Sequence, residues 1–192
     1  MPDIIKILPT EVSNKIAAGE VVQRPSSVLK ELLENSIDAN SSKIKIIIKN
    51  AGKNLIQVID DGIGMSRNDM YKSFIKHATS KINKIDDVFS INSMGFRGEA
   101  LAAISSVSMI EMSSSKLNEN DGYFIEINGG KVITEKELIG NKGTSIKVQN
   151  LFYNVPARRN FLKSDFVELR HIINVFNSIC LLYTSPSPRD SC

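Results

Sequence analysis

The sequence predicts an α+β fold, a two-layer sandwich of a mixed, largely antiparallel sheet with helices on one face. Its apolar patterns occur in the order helix, strand, strand, helix, loop, helix and four further strands, an order that does not suit a doubly wound parallel sheet. Several strands follow one another through short glycine-containing turns, which join antiparallel neighbours. With 192 residues, 42% of them hydrophobic, the chain is long enough for one well-cored domain.

The helices are predicted from apolar spacing near 3.6 residues and from end signals. Gly19 is expected to end or bend the first helix, Pro25 suits the start of the second, and Ser66 is a plausible cap ahead of Asp69 for the third. Four predicted helices cover residues 16–22, 26–39, 66–76 and 166–182. Two shorter helices are predicted as well: one follows the glycine loop at the start of residues 95–105, and the other is a basic segment within residues 151–163.

The strands are predicted from alternation and from β-branched residues. They cover residues 43–49, 55–59, 107–112, 123–128, 131–137 and 144–149, and the polar residues 113–121 are expected to form a turn. We expect one domain over residues 1–182, with its end leading towards a second domain. Residues 183–192 are expected to be a linker or a non-native tail, because this stretch is rich in Pro and Ser and has no core residues.

The composition argues against several classes of protein. The only cysteines, Cys180 and Cys192, form neither a disulfide framework nor a metal-ligand spacing, which indicates a reducing compartment. No apolar run approaches a membrane span, and the N-terminus lacks a signal-peptide pattern. The net charge of +3 neither demands nor excludes binding to nucleic acid.

The segment from Lys30 to Ala39 is an amphipathic helix with a crowded polar face. At about 100° per residue, Glu31, Glu34, Asn35 and Asp38 share one narrow arc. The opposite side carries a stripe of Leu29, which precedes the segment, with Leu32, Leu33, Ser36 and Ile37. No Lys or Arg lies between Glu31 and Asp38. The plain interpretation is a solvated helix face. The alternative is a Mg²⁺ site with oxygen ligands, in which Glu31 orients or deprotonates a water.

Two glycine-containing loops point to a nucleotide. In the first, Asp60 follows a strand and can accept from an exocyclic amine, while Gly62 and Gly64 leave room for a ring against backbone. In the second, GFRGEAL at residues 95–101 precedes a helix whose backbone amides can bind phosphates. Taken singly, the first loop is most often just a turn, and the second is as often a helix-packing device as a binding loop. The chain contains no P-loop pattern.

Two other polar features have plainer interpretations. His77 is expected to be a structural loop histidine rather than a base. Arg158, Arg159 and Lys163 are expected to form a solvated basic face, with contact to DNA phosphates as the alternative.

Taken together and in order, these motifs resemble the four nucleotide-binding motifs of the GHKL ATPases. They are E-x-x-x-N at Glu31 and Asn35, D-x-G-x-G at residues 60–64, GFRGEAL, and GT at Gly143 and Thr144. Three longer strings resemble the MutL mismatch-repair family, whose ATPase domain has the Bergerat fold: IAAGEVVQRPSSVLKELLENSIDA, GFRGEALAAISSV and LFYNVPARRNFL. The resemblance covers roughly residues 3–182.

The resemblance implies a role for each matching residue. Glu31 corresponds to the base that activates water, Asn35 to the Mg²⁺ ligand, and Asp60 to the adenine-binding aspartate, helped by Thr144 through water. The implied nucleotide-binding residues are Asn35, Asp60, Gly62, Gly64, Thr79, Ser80, Lys81, Gly95, Phe96, Arg97, Gly98, Glu99, Ala100, Leu101 and Thr144. Glu34 and Asp38 are expected only to order water.

The resemblance also implies an activity and partners. The cofactors would be ATP and Mg²⁺. Slow hydrolysis would reset a switch in which ATP orders a lid over about residues 76–98 and brings two copies of the chain together. The expected partners are a MutS-type mismatch-recognition protein, a second copy, and DNA with weak affinity; the expected location is the bacterial cytoplasm at the nucleoid, or a eukaryotic nucleus. The alternative is an ATP-gated scaffold with negligible hydrolysis.

Three departures from the family pattern accompany these expectations. Asp61 stands where the family usually has Asn, and Met94 stands where it usually has Leu. The family's second domain supplies a lysine to the γ-phosphate, and the sequence is expected to stop before it.

Overall fold

The computed structural model describes residues 8–79, 98–116, 121–140 and 142–184. Six helices and six strands are described within these ranges, together with a 3-10 turn at Asn50–Gly52. The helices are α1 (Thr10–Val21), α2 (Pro25–Asp38), α3 (Arg67–Ser73), α4 (Ala100–Ser106), α5 (Pro156–Phe161) and α6 (Asp165–Thr184). The strands are β1 (Ile44–Lys49), β2 (Leu55–Asp60), β3 (Met109–Ser115), β4 (Asp121–Asn128), β5 (Lys131–Ile139) and β6 (Gly143–Gln149).

The strands form one sheet in the order β1-β2-β6-β3-β4-β5. All five pairings between these described strands are antiparallel, so the predicted largely antiparallel sheet is confirmed. The register aligns apolar side chains across the sheet. One row consists of Ile48, Ile56, Val148, Ile110 and Ile127, and the next of Ile46, Val58, Ile146, Met112 and Ile125.

The helices bury their apolar stripes against these rows. Leu29, Leu32 and Leu33 of α2 and Ile104 of α4 belong to the same buried cluster as the strand residues. Helix α2 packs on β2, α6 packs on α2, and α1 packs on α4. On the other face of the sheet, polar pairs such as Gln57 with Ser145 and Lys147 with Glu111 cross between strands. Because the helices cover the apolar face and polar pairs lie on the other face, the predicted two-layer arrangement with helices on one face is confirmed.

Several predicted boundaries were wrong. Helix α1 begins at Thr10 and continues past Gly19 to Val21, because one helical glycine costs only about 1 kcal/mol relative to alanine. Strand β3 continues through Ser113–Ser115, which the sequence had placed in a turn, because backbone pairing with two neighbouring strands outweighs the low strand propensity of serine. Helix α3 ends at Ser73, three residues earlier than predicted.

Other predicted ends are close to the observed ones. Ser66 caps α3 by accepting a hydrogen bond from the Asp69 N–H, and α2 begins at Pro25. Of the predicted tail at residues 183–192, only the last two residues of α6 lie within the described ranges.

Candidate functional site

A polar row lies beside the two apolar rows on the helix-covered face of the sheet. Asp60 at the end of β2 is paired with Thr144 of β6, and Thr144 is paired with Ser114 of β3. Because side chains alternate between the faces of a strand, these three residues point the same way as the core residues two positions along. The sheet therefore carries three neighbouring polar groups at one end of its buried face.

The Asp60 carboxylate receives three hydrogen bonds. Its Oδ1 accepts from the Gly62 N–H at 2.9 Å and from the Thr144 N–H at 3.3 Å, and its Oδ2 accepts from the Ser36 hydroxyl at 3.0 Å. A carboxylate has about four acceptor positions. Within the described part of the chain, one position on Oδ2 is therefore open to a further donor.

The environment of Asp60 disfavours its charged form relative to an exposed aspartate. Burial raises the pKa of Asp60 above its ordinary value of 3.8, and the nearby charge of Asp61 acts in the same direction. The hydrogen bonds from Gly62, Ser36 and Thr144 oppose this rise but do not cancel it. A partly buried carboxylate at a strand end, whose burial is incompletely compensated, is a candidate binding group.

Ser114 and Thr144 form the second part of the row. Their hydroxyl oxygens lie 2.9 Å apart, and Ser114 Oγ also accepts from the Met65 N–H at 2.8 Å. This last contact ties the loop after Asp60 to the end of β3. The sequence reasoning missed Ser114 because its serine-rich stretch was taken for a turn.

Ser36 joins helix α2 to Asp60. It is buried on the sheet-facing side of α2, where the sequence placed it, and its hydroxyl lies within hydrogen-bond distance of both Asp60 Oδ2 and the Leu32 carbonyl. Sequence reasoning did not identify it as a site residue. A single polar residue in an otherwise apolar helical stripe was the signal that could have found it. Asn35, the preceding residue in the chain, is half-buried.

The polar face of α2 differs in one respect from the crowded cluster that the sequence suggested. Glu34 is only 5% exposed and forms an ion pair with Lys30 at 3.5 Å, so the cation lies just before the acidic stretch. Glu31 and Asn35 are half-buried on the same face, about 6 Å apart along the helix axis. Glu34 is therefore paired within the helix, while Ser36, which contacts Asp60, lies on the sheet-facing side of α2, away from the polar face that carries Glu31 and Asn35.

Gly62 and Gly64 are required by close backbone packing. A Cβ at Gly62 would stand 2.8 Å from Ala39, and one at Gly64, where φ is +69°, would stand 2.0 Å from the Ser115 carbonyl oxygen. At both glycines, the space that a side chain would occupy is already filled by other atoms of the protein. The expected room for a ring does not come from these missing side chains; their role towards a ligand stays a prediction.

Asp61 turns away from Asp60 and towards β1. Its carboxylate accepts from the N–H groups of Ser42 and Lys43 and from the Ser42 hydroxyl, all within 2.8 Å. The hydrogen bond from Lys43, followed by those from Ser42, lowers the pKa of Asp61 to about 2. Asp61, which stands where the family usually has Asn, therefore has its hydrogen-bond partners just before β1, outside the polar row.

A second group of predicted residues lies at the start of α4. The His77 N–H donates to the Gly98 carbonyl at 3.0 Å, and His77 Nδ1 lies 3.2 Å from Glu99 Oε1. A Cβ at Gly98, where φ is +61°, would stand 2.4 Å from the Ala78 carbonyl oxygen. These contacts join the residues before Thr79 to the loop before Ala100 and Leu101. They support the expectation that His77 is a structural loop residue.

Some predicted residues lie outside the described ranges. They are Ser80, Lys81, Gly95, Phe96 and Arg97. Among the described residues, no three His, Cys, Asp or Glu side chains form a group that could hold a metal ion. In the same ranges, no helix is long and apolar enough to cross a membrane.

The comparison with protein families agrees with this fold and site. The family described as histidine kinase-, DNA gyrase B-, and HSP90-like ATPase matches residues 23–152, which include Glu31, Asn35, Asp60 and Thr144. This chain therefore belongs to that family of ATPases.

The predicted resemblance to MutL is confirmed as well. The DNA mismatch repair protein MutL of Christiangramia forsetii is 56% identical over 187 residues, which are 97% of this chain and 30% of that protein. MutL of Chlorobium phaeobacteroides is 54% identical over 176 residues, 92% of this chain and 28% of that protein. The chain thus spans about 30% of the length of such relatives.

Solved structures show the same similarity. The Aquifex aeolicus MutL ATPase domain complexed with ADP is 31% identical, with a TM-score of 0.64 over 84% of this chain and 56% of that one. The N-terminal domain of a DNA repair protein gives a TM-score of 0.73 at 27% identity, over 88% of this chain and 48% of that one.

Proposed function

We propose that this chain is the ATP-binding part of a bacterial MutL-type mismatch-repair protein and that it slowly hydrolyses ATP. The observation that carries the proposal is the partly buried Asp60 carboxylate in an ATPase fold. Ser36, Gly62 and Thr144 hold it, and the described part of the chain leaves one acceptor position open. An exocyclic amine such as that of adenine is a suitable donor for this position. The ADP complex of the related Aquifex aeolicus domain supports a nucleotide as the ligand.

Helix α2 would then provide the chemistry at the phosphate end. Asn35 offers an amide oxygen to Mg²⁺, and Mg²⁺ characteristically takes few protein ligands beside phosphates and water. When bound, the metal would supply positive charge to the phosphates. Glu31, one turn earlier, would orient a water and accept its proton. The loop before α4, with Gly98–Leu101, would hold phosphates through backbone amides, and Thr144 would assist Asp60 through water.

The proposal extends to the assembly of the longer protein. Ordering of the lid over about residues 76–98 by ATP would bring two copies together, and hydrolysis would release them. The expected partners are a MutS-type protein and DNA, in the bacterial cytoplasm. The similarity to curated MutL proteins supports these partners. Of the three basic residues considered for DNA contact, Arg159 and Lys163 are exposed.

Glu31→Ala tests the hydrolytic step. We expect the variant to retain ATP binding, measured by Mg²⁺-dependent protection against thermal unfolding, and to lose phosphate release. Glu20→Ala is the matched control, because Glu20 is an exposed glutamate on α1. Equal phosphate release by the wild type and Glu31→Ala would instead support the ATP-gated scaffold, and loss of protection by ATP in both would reject the site.

A further inference from the structure

The segment LFYNVPARRNFL reaches the ends of two helices that belong to the other two MutL-like strings. At the end of α4, the Phe152 N–H donates to the Val107 carbonyl at 2.7 Å, and Asn154 Nδ2 donates to the Ser106 carbonyl at 2.9 Å. The last carbonyls of a helix have no partner within the helix. The segment therefore satisfies the C-terminal end of the helix that begins at the GFRGEAL loop.

Arg158 makes the corresponding contact at the end of α1. Its Nη2 donates to the Val22 carbonyl at 2.5 Å and lies 3.5 Å from the Gly19 carbonyl. The guanidinium also stacks over the Phe152 ring, 4.4 Å from its centroid. A cation is favoured at this end because the helix dipole places negative partial charge there. The predicted solvated basic face was therefore wrong for Arg158, although Arg159 is exposed.

The partial burial of the Arg158 guanidinium carries a desolvation cost, which a residue that only filled space would avoid. Burial lowers the pKa of its guanidinium, and Nη1 is buried without a hydrogen-bond partner among the described residues. A desolvated charge is tolerated where it is paired or hydrogen-bonded. The contact to Val22 and the stacking on Phe152 provide that compensation.

The junction that Arg158 holds leads directly into the proposed site. Val22 is 0% exposed, and α2 begins three residues later at Pro25. Glu31 and Asn35 follow in the second and third turns of the same helix. We infer that Arg158 is a positioning residue, which fixes the junction between α1 and α2 and thereby places Glu31 and Asn35 for the nucleotide. This inference rests on the proposed function for its effect on nucleotide binding.

The experiment compares Arg158→Met with Arg159→Met in the full chain. Both changes remove one positive charge from the same helix, but only the first removes the contact to Val22. We measure amide hydrogen exchange and the Kd for ATP with Mg²⁺, at a temperature where both variants are folded. For Arg158→Met we expect exchange in residues 19–35 to become roughly tenfold faster and the Kd to rise about tenfold. Arg159→Met should match the wild type.

Arg158→Lys keeps the experiment decisive if Arg158→Met does not fold. Lysine retains the charge but loses the planar fork and the stacking, so exchange and Kd should lie between the wild type and Arg158→Met. Faster exchange in α2 with an unchanged Kd would overturn the positioning role. Equal exchange in Arg158→Met and Arg159→Met would overturn it too. If the wild type itself binds no ATP, the proposed function fails, and exchange in α2 alone decides whether Arg158 holds the junction.

Discussion

The Asp60 region and the Arg158 region both bury charged groups, but they do so with different consequences. Among the described residues, the Asp60 carboxylate keeps one acceptor position open, and burial raises its pKa. Arg158 donates to the end of α1 and is stacked on Phe152, which is 0% exposed. The Asp60 region can accept a further hydrogen bond from a ligand. The Arg158 region instead directs its hydrogen bond and its stacking within the chain, where they join the end of α1 to Phe152. Changes in the first region should alter nucleotide binding directly, while changes in the second should alter stability and reach nucleotide binding only through the junction between α1 and α2.

The largest expected effect on stability comes from Phe152→Ala. The ring is fully buried and carries the stacked Arg158 guanidinium. Its removal should lower the free energy of unfolding by about 3–5 kcal/mol, measured by denaturant unfolding. Phe161→Ala is the control, because Phe161 is 81% exposed, and it should change stability by less than about 0.5 kcal/mol. Similar losses in both variants would contradict the assignment of this region to stability.

Asp60→Asn should affect ATP rather than folding. The asparagine oxygen can still accept from Gly62 and Thr144, and its amide can donate to Ser36, whose hydroxyl can then donate to Leu32. The amide no longer accepts from adenine, so the Kd for ATP should rise about 10- to 100-fold, as for loss of a hydrogen bond to a charged group. Calorimetric titration measures this change. A variant that binds ATP like the wild type would remove Asp60 from the site.

The neighbouring aspartates should give stability changes of opposite sign with pH. The folded state holds the Asp60 proton more tightly than the unfolded state, so its stabilising contribution is present below pH 3.8 and is lost as pH rises through the raised pKa. Asp61 contributes stability above pH 3.8 that is lost as pH falls through its pKa of about 2.

Thermal unfolding between pH 2 and 7 tests this small difference. The stability of Asp60→Asn relative to the wild type should improve as pH rises from 3.8, while that of Asp61→Asn should improve as pH falls from 3.8 towards 2. Asp61→Asn should bind ATP normally, which makes it the matched control for Asp60→Asn. Parallel curves for the two variants would contradict the opposite environments of the two carboxylates.

The predictable parts of the site were those that depend on local sequence. Periodicity located α2 and β2, and the DDGIG string located Asp60, because helix faces and strand ends repeat over a few residues. Ser36 and Ser114 could not be recognised in this way. Each acquires its role from a residue far along the chain, Asp60 for Ser36 and Thr144 for Ser114. Arg158 was misjudged for the same reason, since its partner Val22 lies 136 residues earlier.

The sequence by itself determined the α+β class, the family resemblance and the identities of Glu31, Asn35, Asp60 and Thr144 as candidates, because these follow from spacing and from ordered motifs. The tertiary structure alone decided which polar groups meet. It aligned Asp60, Thr144 and Ser114 through the strand register, brought Ser36 to Asp60, and brought Arg158 to the end of α1. Such contacts depend on packing between distant segments, where burial and hydrogen-bond geometry are set by the whole fold.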